Sequence, residues 1–116
     1  MGVRFSLTMD ASDPVALARF WAAALGDRQL GGPDPGEDGT GEWATLDDPS
    51  GQGPNVFFQR VPEGKVAKNR QHFDLRVVGS IPDEVRRLTA LGGRVLREDG
   101  DPIWMADPEG NEFCVE

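Results

Sequence analysis

This 116-residue chain carries one cysteine, one histidine and no tyrosine. A single cysteine excludes an intrachain disulfide, and MGVRFSLTMD has no long apolar leader segment, so a reducing, cytoplasmic setting is the expectation. No apolar run approaches the roughly 20 residues of a membrane span, which excludes a membrane partner of that kind. Cations are scarce too: 12 Lys and Arg stand against 20 Asp and Glu, for a net charge of −8. Such a field repels phosphate backbones, so nucleic acid is not an expected partner. Lys65, Lys68 and Arg70 form the one basic cluster and read as a solvated linker.

What is present fits one compact domain over residues 1–116, built as two smaller units over 1–62 and 70–116. In VRFSLTMD (3–10) apolar and polar residues alternate, which predicts a strand with Arg4, Ser6, Thr8 and Asp10 on its polar face. Gly2 and Ser6 match the loose N-myristoylation pattern, but Phe5 and Leu7 read as strand residues, and that reading is preferred. Asp13-Pro14 is a helix start and Gly26 a stop, with Leu17, Phe20, Trp21 and Ala24 on one stripe; Trp21 reads as core. The glycine-rich, acidic stretch from Gly31 to Glu42 reads as an exposed loop, a surface hairpin rather than a lid.

WATLDDPSG and PNVFFQRV predict two strands around an Asp-Pro turn. HFDLRVVG predicts a strand opened by His72. Ser80, three before Asp83, starts a helix whose stripe is Val85, Leu88 and Leu91, ended by Gly92 and Gly93. GRVLRED, PIWMAD and NEFCVE predict three closing strands.

Each half therefore reads strand, helix, three strands, and a repeat joins them. AALGDRQL (23–30) aligns without gaps with TALGGRVL (89–96), and the same shift sets Ser6 against His72. DPSG at 48–51 answers DPEG at 107–110. The fold expected is α+β: two tandem βαβββ units forming a curved mixed sheet around a central cup, the natural place for a small molecule.

FWAAALG after Asp13-Pro14, NRQHFDLRV, LTALGGRVL and DPEGNEFCVE together resemble the vicinal oxygen chelate superfamily of glyoxalases, bleomycin-resistance proteins and extradiol dioxygenases, over essentially the whole chain. The resemblance implies a cup-centred site where metal-dependent members set four side chains around a divalent ion. It maps the first histidine position onto Ser6, the second onto His72 and the terminal glutamate onto Cys114. The remaining carboxylate position falls near Gln59, although self-alignment through Asn55 and Asn111 selects Phe58.

Serine and glutamine are neutral, weak donors, so the expected site has no metal cofactor. The less favoured alternative is a divalent ion, zinc or copper, on His72 and Cys114, with Glu112 or Glu116 substituting. His72 is the expected acid or base should a proton move, with Asp74 either orienting it or simply forming a salt bridge; Cys114 is read as inert, or as a nucleophile only if His72 activates it. Candidate ligand contacts are Ser6, Phe57, Gln59, His72, Asp74, Trp104 and Cys114, with Trp43 and Trp104 either lining the cup or packing in the core.

Three functions follow. The preferred one is a bleomycin-resistance-type protein that binds a small molecule without metal, its acidic balance suiting a cationic ligand. The second is a lyase, isomerase or dioxygenase with a modified site using His72 and Cys114. The third is an interaction module whose cup its own side chains fill. A homodimer is compatible with all three.

Overall fold

The computed structural model describes residues 2–32 and 41–116. Residues 33–40 lie outside them, and so does the reading of the acidic loop as hairpin or lid. The chain divides into two compact units, one up to Gly64 and one from Lys65 to Glu116.

The first unit runs β1 (Leu7–Ala11), α1 (Pro14–Leu25), β2 (Gln29–Gly31), β3 (Trp43–Asp47) and β4 (Val56–Arg60). The second runs β5 (Asp74–Leu75), α2 (Ile81–Ala90), β6 (Arg94–Arg97), β7 (Ile103–Ala106) and β8 (Glu112–Val115). Strand order is β1-β4-β3-β2 in one sheet and β5-β8-β7-β6 in the other. In both, the first strand lies parallel to the last and the remaining pairs are antiparallel. Among the described residues the fold is thus α+β, two four-stranded mixed sheets with two helices, and the βαβββ order expected of each half is present twice.

Helix α1 begins where the Asp13 carboxylate accepts from the Ala16 N–H at 3.1 Å. It ends at Gly26, whose φ of +79° is the left-handed geometry that glycine adopts without strain. Its stripe buries Leu17, Phe20 and Trp21, and Ala44, Leu46, Val56 and Phe58 of the sheet are buried too. Strand alternation then sends Phe57 and Gln59 to the sheet's other face.

Helix α2 starts at Ser80, whose Oγ accepts from the Asp83 N–H at 3.3 Å. Of its expected stripe Leu88 is fully buried, Val85 is half-buried and Leu91 remains 39% exposed. The helix stops at Ala90, one residue earlier than that stripe requires, and Leu91 falls at the cap, beyond the last full turn.

Two predicted strands are shorter than the sequence pattern suggested. β1 starts at Leu7 rather than residue 3, because its parallel partner β4 starts at Val56, opposite Leu7. β5 is Asp74–Leu75, so His72 precedes the strand instead of opening it; the ladder to β8 begins with Phe73, whose carbonyl accepts from the Cys114 N–H at 3.0 Å. Alternation of side chains cannot reveal where a partner strand runs out.

The two Asp-Pro turns repeat one construction. Asp48 Oδ1 accepts from the N–H of Ser50, as Asp107 Oδ1 accepts from the N–H of Glu109, each at 2.9 Å. Asp107 is 3% exposed and also accepts from the backbone and side chain of Asn111. Asp107→Ala should therefore cost about 2–3 kcal/mol in urea unfolding, because several buried donors lose one charged acceptor. Asp48→Ala, at a more open turn, should cost less.

Candidate functional site

In the second sheet one row of side chains crosses three strands on a single face. Asp74 of β5 pairs with Cys114 of β8, and Cys114 pairs with Trp104 of β7. Phe113, Val115 and Met105, of opposite parity, are fully buried on the other face. His72, two residues before Asp74, shares the parity of the open face.

The row is bonded together. His72 Nδ1 lies 2.8 Å from Asp74 Oδ1, and the Cys114 thiol donates to the same oxygen at 3.0 Å. Because only an N–H can donate to a carboxylate, Nδ1 carries a proton and Nε2 is the ring atom left for other chemistry. The His72 ring meets Trp104 edge to face, with centroids 4.8 Å apart and planes at 78°. Lys68 Nζ stands over the same indole, 5.5 Å from its centre.

The electrostatics follow from that geometry. The Cys114 thiol lowers the acidity range of Asp74, holding its carboxyl below the usual value against partial desolvation, with His72 adding to the effect. Burial, then the hydrogen bond to Asp74 and its charge, pushes the thiol up to about 12. A thiol in this state is a hydrogen-bond donor, not a nucleophile. Cys114 points to Asp74 rather than to His72, so the arrangement in which histidine activates cysteine is not the one formed.

Glu112, which precedes Cys114 by two, is committed elsewhere: it accepts from Lys65 Nζ at 3.0 Å and from the Asn69 N–H at 2.9 Å. Glu116 lies 3.6 Å from Arg76. Among the described residues the group of potential metal donors is His72, Asp74 and Cys114, with ligand atoms all within 4.8 Å of one another.

The first sheet carries a comparable row. Asp10 of β1 pairs with Gln59 of β4, which pairs with Trp43 of β3, and Gln59 Nε2 donates to Asp10 Oδ1 at 2.9 Å. Phe57 stacks on Trp43 at 5.8 Å. In this row Gln59 stands where Cys114 stands in the second sheet, whereas Phe58, chosen by self-alignment, is fully buried on the α1 side. Thr8 is the residue two before Asp10, and Ser6 is exposed just before β1. The rows and the helix-end repeat differ by two residues because β1 runs into its helix sooner than β5 does.

A shallow groove of ≈ 370 Å³ lies elsewhere on the first unit, lined by Ser12, Glu42, Arg60, Val61 and Pro62, and touches none of the expected residues. Two contributors escaped sequence reasoning. Asp10 was legible by parity alone, on the polar face of its strand. Lys68 was not, since its approach to Trp104 depends on how the segment from Lys65 to Asn69 is pinned to Glu112.

The raised thiol gives a pH dependence with a definite sign. The unfolded thiol ionises near 9.0 and the folded one near 12, so the folded state holds the extra proton between them. That contribution to stability is full below pH 9 and is lost as pH rises towards 12. Thiolate ultraviolet absorbance should stay absent from the native protein at pH 10 and appear on unfolding in urea. Asp74→Asn should bring it in at lower pH, since the neighbouring negative charge is gone.

Comparison with known proteins places this architecture. The family model for a glyoxalase-like domain matches residues 6–116. No curated protein matches the sequence. Among solved structures, a hypothetical protein from S. aureus is 13% identical with a TM-score of 0.72, covering 99% of this chain and 93% of its own. The fosfomycin resistance protein FosX from Listeria monocytogenes, as an engineered variant complexed with Mn(II) and 1S,2S-dihydroxypropylphosphonic acid, is 10% identical with a TM-score of 0.72, covering 100% and 90%. TioX from Micromonospora sp. ML1 is 21% identical with a TM-score of 0.60, covering 98% and 97%. These likenesses concern the fold. With the family model spanning both βαβββ units, the chain belongs to the glyoxalase-like domain family of the vicinal oxygen chelate fold.

Proposed function

We propose that this protein binds a small molecule on the open face of its second sheet, against His72, Asp74, Trp104 and Cys114, and does so without a resident divalent metal. The observation that carries this reading is the double use of Asp74 Oδ1, which accepts from both His72 and Cys114. A cation held by Cys114 together with the other two would have to break the thiol's hydrogen bond to Asp74 and take the proton from a thiol pushed up to about 12.

The donor set supports the same conclusion. One imidazole, one carboxylate and one protonated thiol are too few and too mixed for the hard divalent ions that oxygen-rich sites hold. Glu112, the nearest further carboxylate on β8, is held by Lys65 and Asn69. This set is a poor match for the hard divalent ion of the metal-dependent relatives.

What remains is a polar and aromatic surface with one free imidazole nitrogen, suited to holding a ligand by hydrogen bonding and ring contact. Binding and sequestration, as in the bleomycin-resistance type, need no more than this. Phe57 and Gln59, on the open face of the first sheet, are proposed ligand contacts of that unit, and Ser6 before β1 with them.

Zinc, nickel, manganese and iron(II), added in turn, should leave the melting temperature unchanged within error. A rise of several degrees with any of them, lost in His72→Ala, would contradict the metal-free reading.

A further inference from the structure

The face just described differs in charge from the chain as a whole. Net charge is −8, yet a cation, Lys68, stands against the Trp104 ring. Asp74 keeps its charge but accepts two hydrogen bonds on one oxygen. Glu112 is matched by Lys65. Arg97, opposite Trp104 across the β6–β7 pairing, is paired with Asp99 at 3.1 Å. Lys68 is different: among the described residues it pairs with no carboxylate, and its ammonium rests on the indole.

We infer that the ligand is a small organic anion carrying a hydroxyl group beside its acid and an apolar or aromatic body, held by Lys68, His72 and Trp104; this rests on the proposed binding face. Each part has a reason. An exposed ammonium over an aromatic ring is weakly held on a flexible stem, so a carboxylate or phosphonate draws it off the ring and exposes the indole to the ligand's body. His72 donates a hydrogen bond from Nδ1–H to Asp74, so a ring carrying that one proton presents Nε2 as an acceptor to a hydroxyl. Lys68 Nζ and the His72 ring lie within 5.5 Å of the same indole centre, so one small molecule reaches both.

The Cys114 thiol has a part in this as a positioning residue. Its proton and that of Nδ1 both bond to Asp74 Oδ1, which ties up that oxygen and fixes the ring that faces the ligand. A cationic ligand, suggested by overall composition, would meet Lys68 instead.

Three probes separate the possibilities: mandelate, which has acid, hydroxyl and ring; phenylacetate, which lacks the hydroxyl; and 2-amino-1-phenylethanol, which has an ammonium in place of the acid. Binding is read from the indole N–H of Trp104 by NMR, identified with Trp104→Phe. Mandelate should shift this signal, phenylacetate should bind more weakly, and the amine should bind least. Lys68→Met, a change at an exposed residue, should weaken mandelate about fivefold, as expected for one exposed ion pair, without weakening the amine. Preference for the amine, or mandelate binding indifferent to Lys68→Met, would overturn the anion assignment and leave the binding face standing. No response of Trp104 to any probe would overturn both.

Discussion

A single carboxylate oxygen organises the chemistry of the second unit. Asp74 Oδ1 accepts from His72 Nδ1 and from the Cys114 thiol, and these two bonds fix the imidazole tautomer, keep the thiol protonated and hold the edge of β5 against β8. Remove that acceptor and a buried thiol loses its partner while His72 loses its orientation. The exposed side of Asp74 lets water compete, so this is a small local network rather than a pillar of global stability. Its importance lies in what it decides: which ring nitrogen faces outward and which way the thiol points.

Its members reach one another because of sheet register. Asp74, Cys114 and Trp104 come from three strands but occupy one row, and the period of two puts them together on the face away from Phe113, Val115 and Met105. The first unit builds the same kind of row from Asp10, Gln59 and Trp43, with an amide donating to the carboxylate where the second unit uses a thiol. Two sheets of one topology thus carry two versions of a carboxylate, a neutral donor and a tryptophan. In both, the central position is occupied by a group that donates a hydrogen bond to a carboxylate.

Much of this was legible in the sequence. Helix caps at Asp13 and Ser80, the Asp-Pro turns and the repeat of Leu-Gly motifs led to the βαβββ order, because caps and turns are local chemistry. Strand ends were less so: β1 and β5 stop where their partners stop, which no alternation of side chains encodes. His72, Asp74, Trp104 and Cys114 were named as neighbours of a ligand and Asp74 as a partner of His72, yet the bond from Cys114 to Asp74 was not foreseen, since a register shift of one residue between β5 and β8 would have turned Cys114 into the core. Lys68 looked like part of a solvated linker because its position depends on the Lys65–Glu112 contact, a bond between residues 47 apart.

Since the chain contains one histidine, the ring nitrogens of His72 can be observed without assignment. Long-range nitrogen–proton NMR of the ring tests the central account directly. It predicts that the ring bearing one proton carries it on Nδ1 and leaves Nε2 bare, a pattern weakened by Asp74→Asn and unchanged by added zinc. A ring protonated on Nε2 instead, or a zinc-induced shift of either nitrogen, would show that Asp74 does not hold this network closed against a metal.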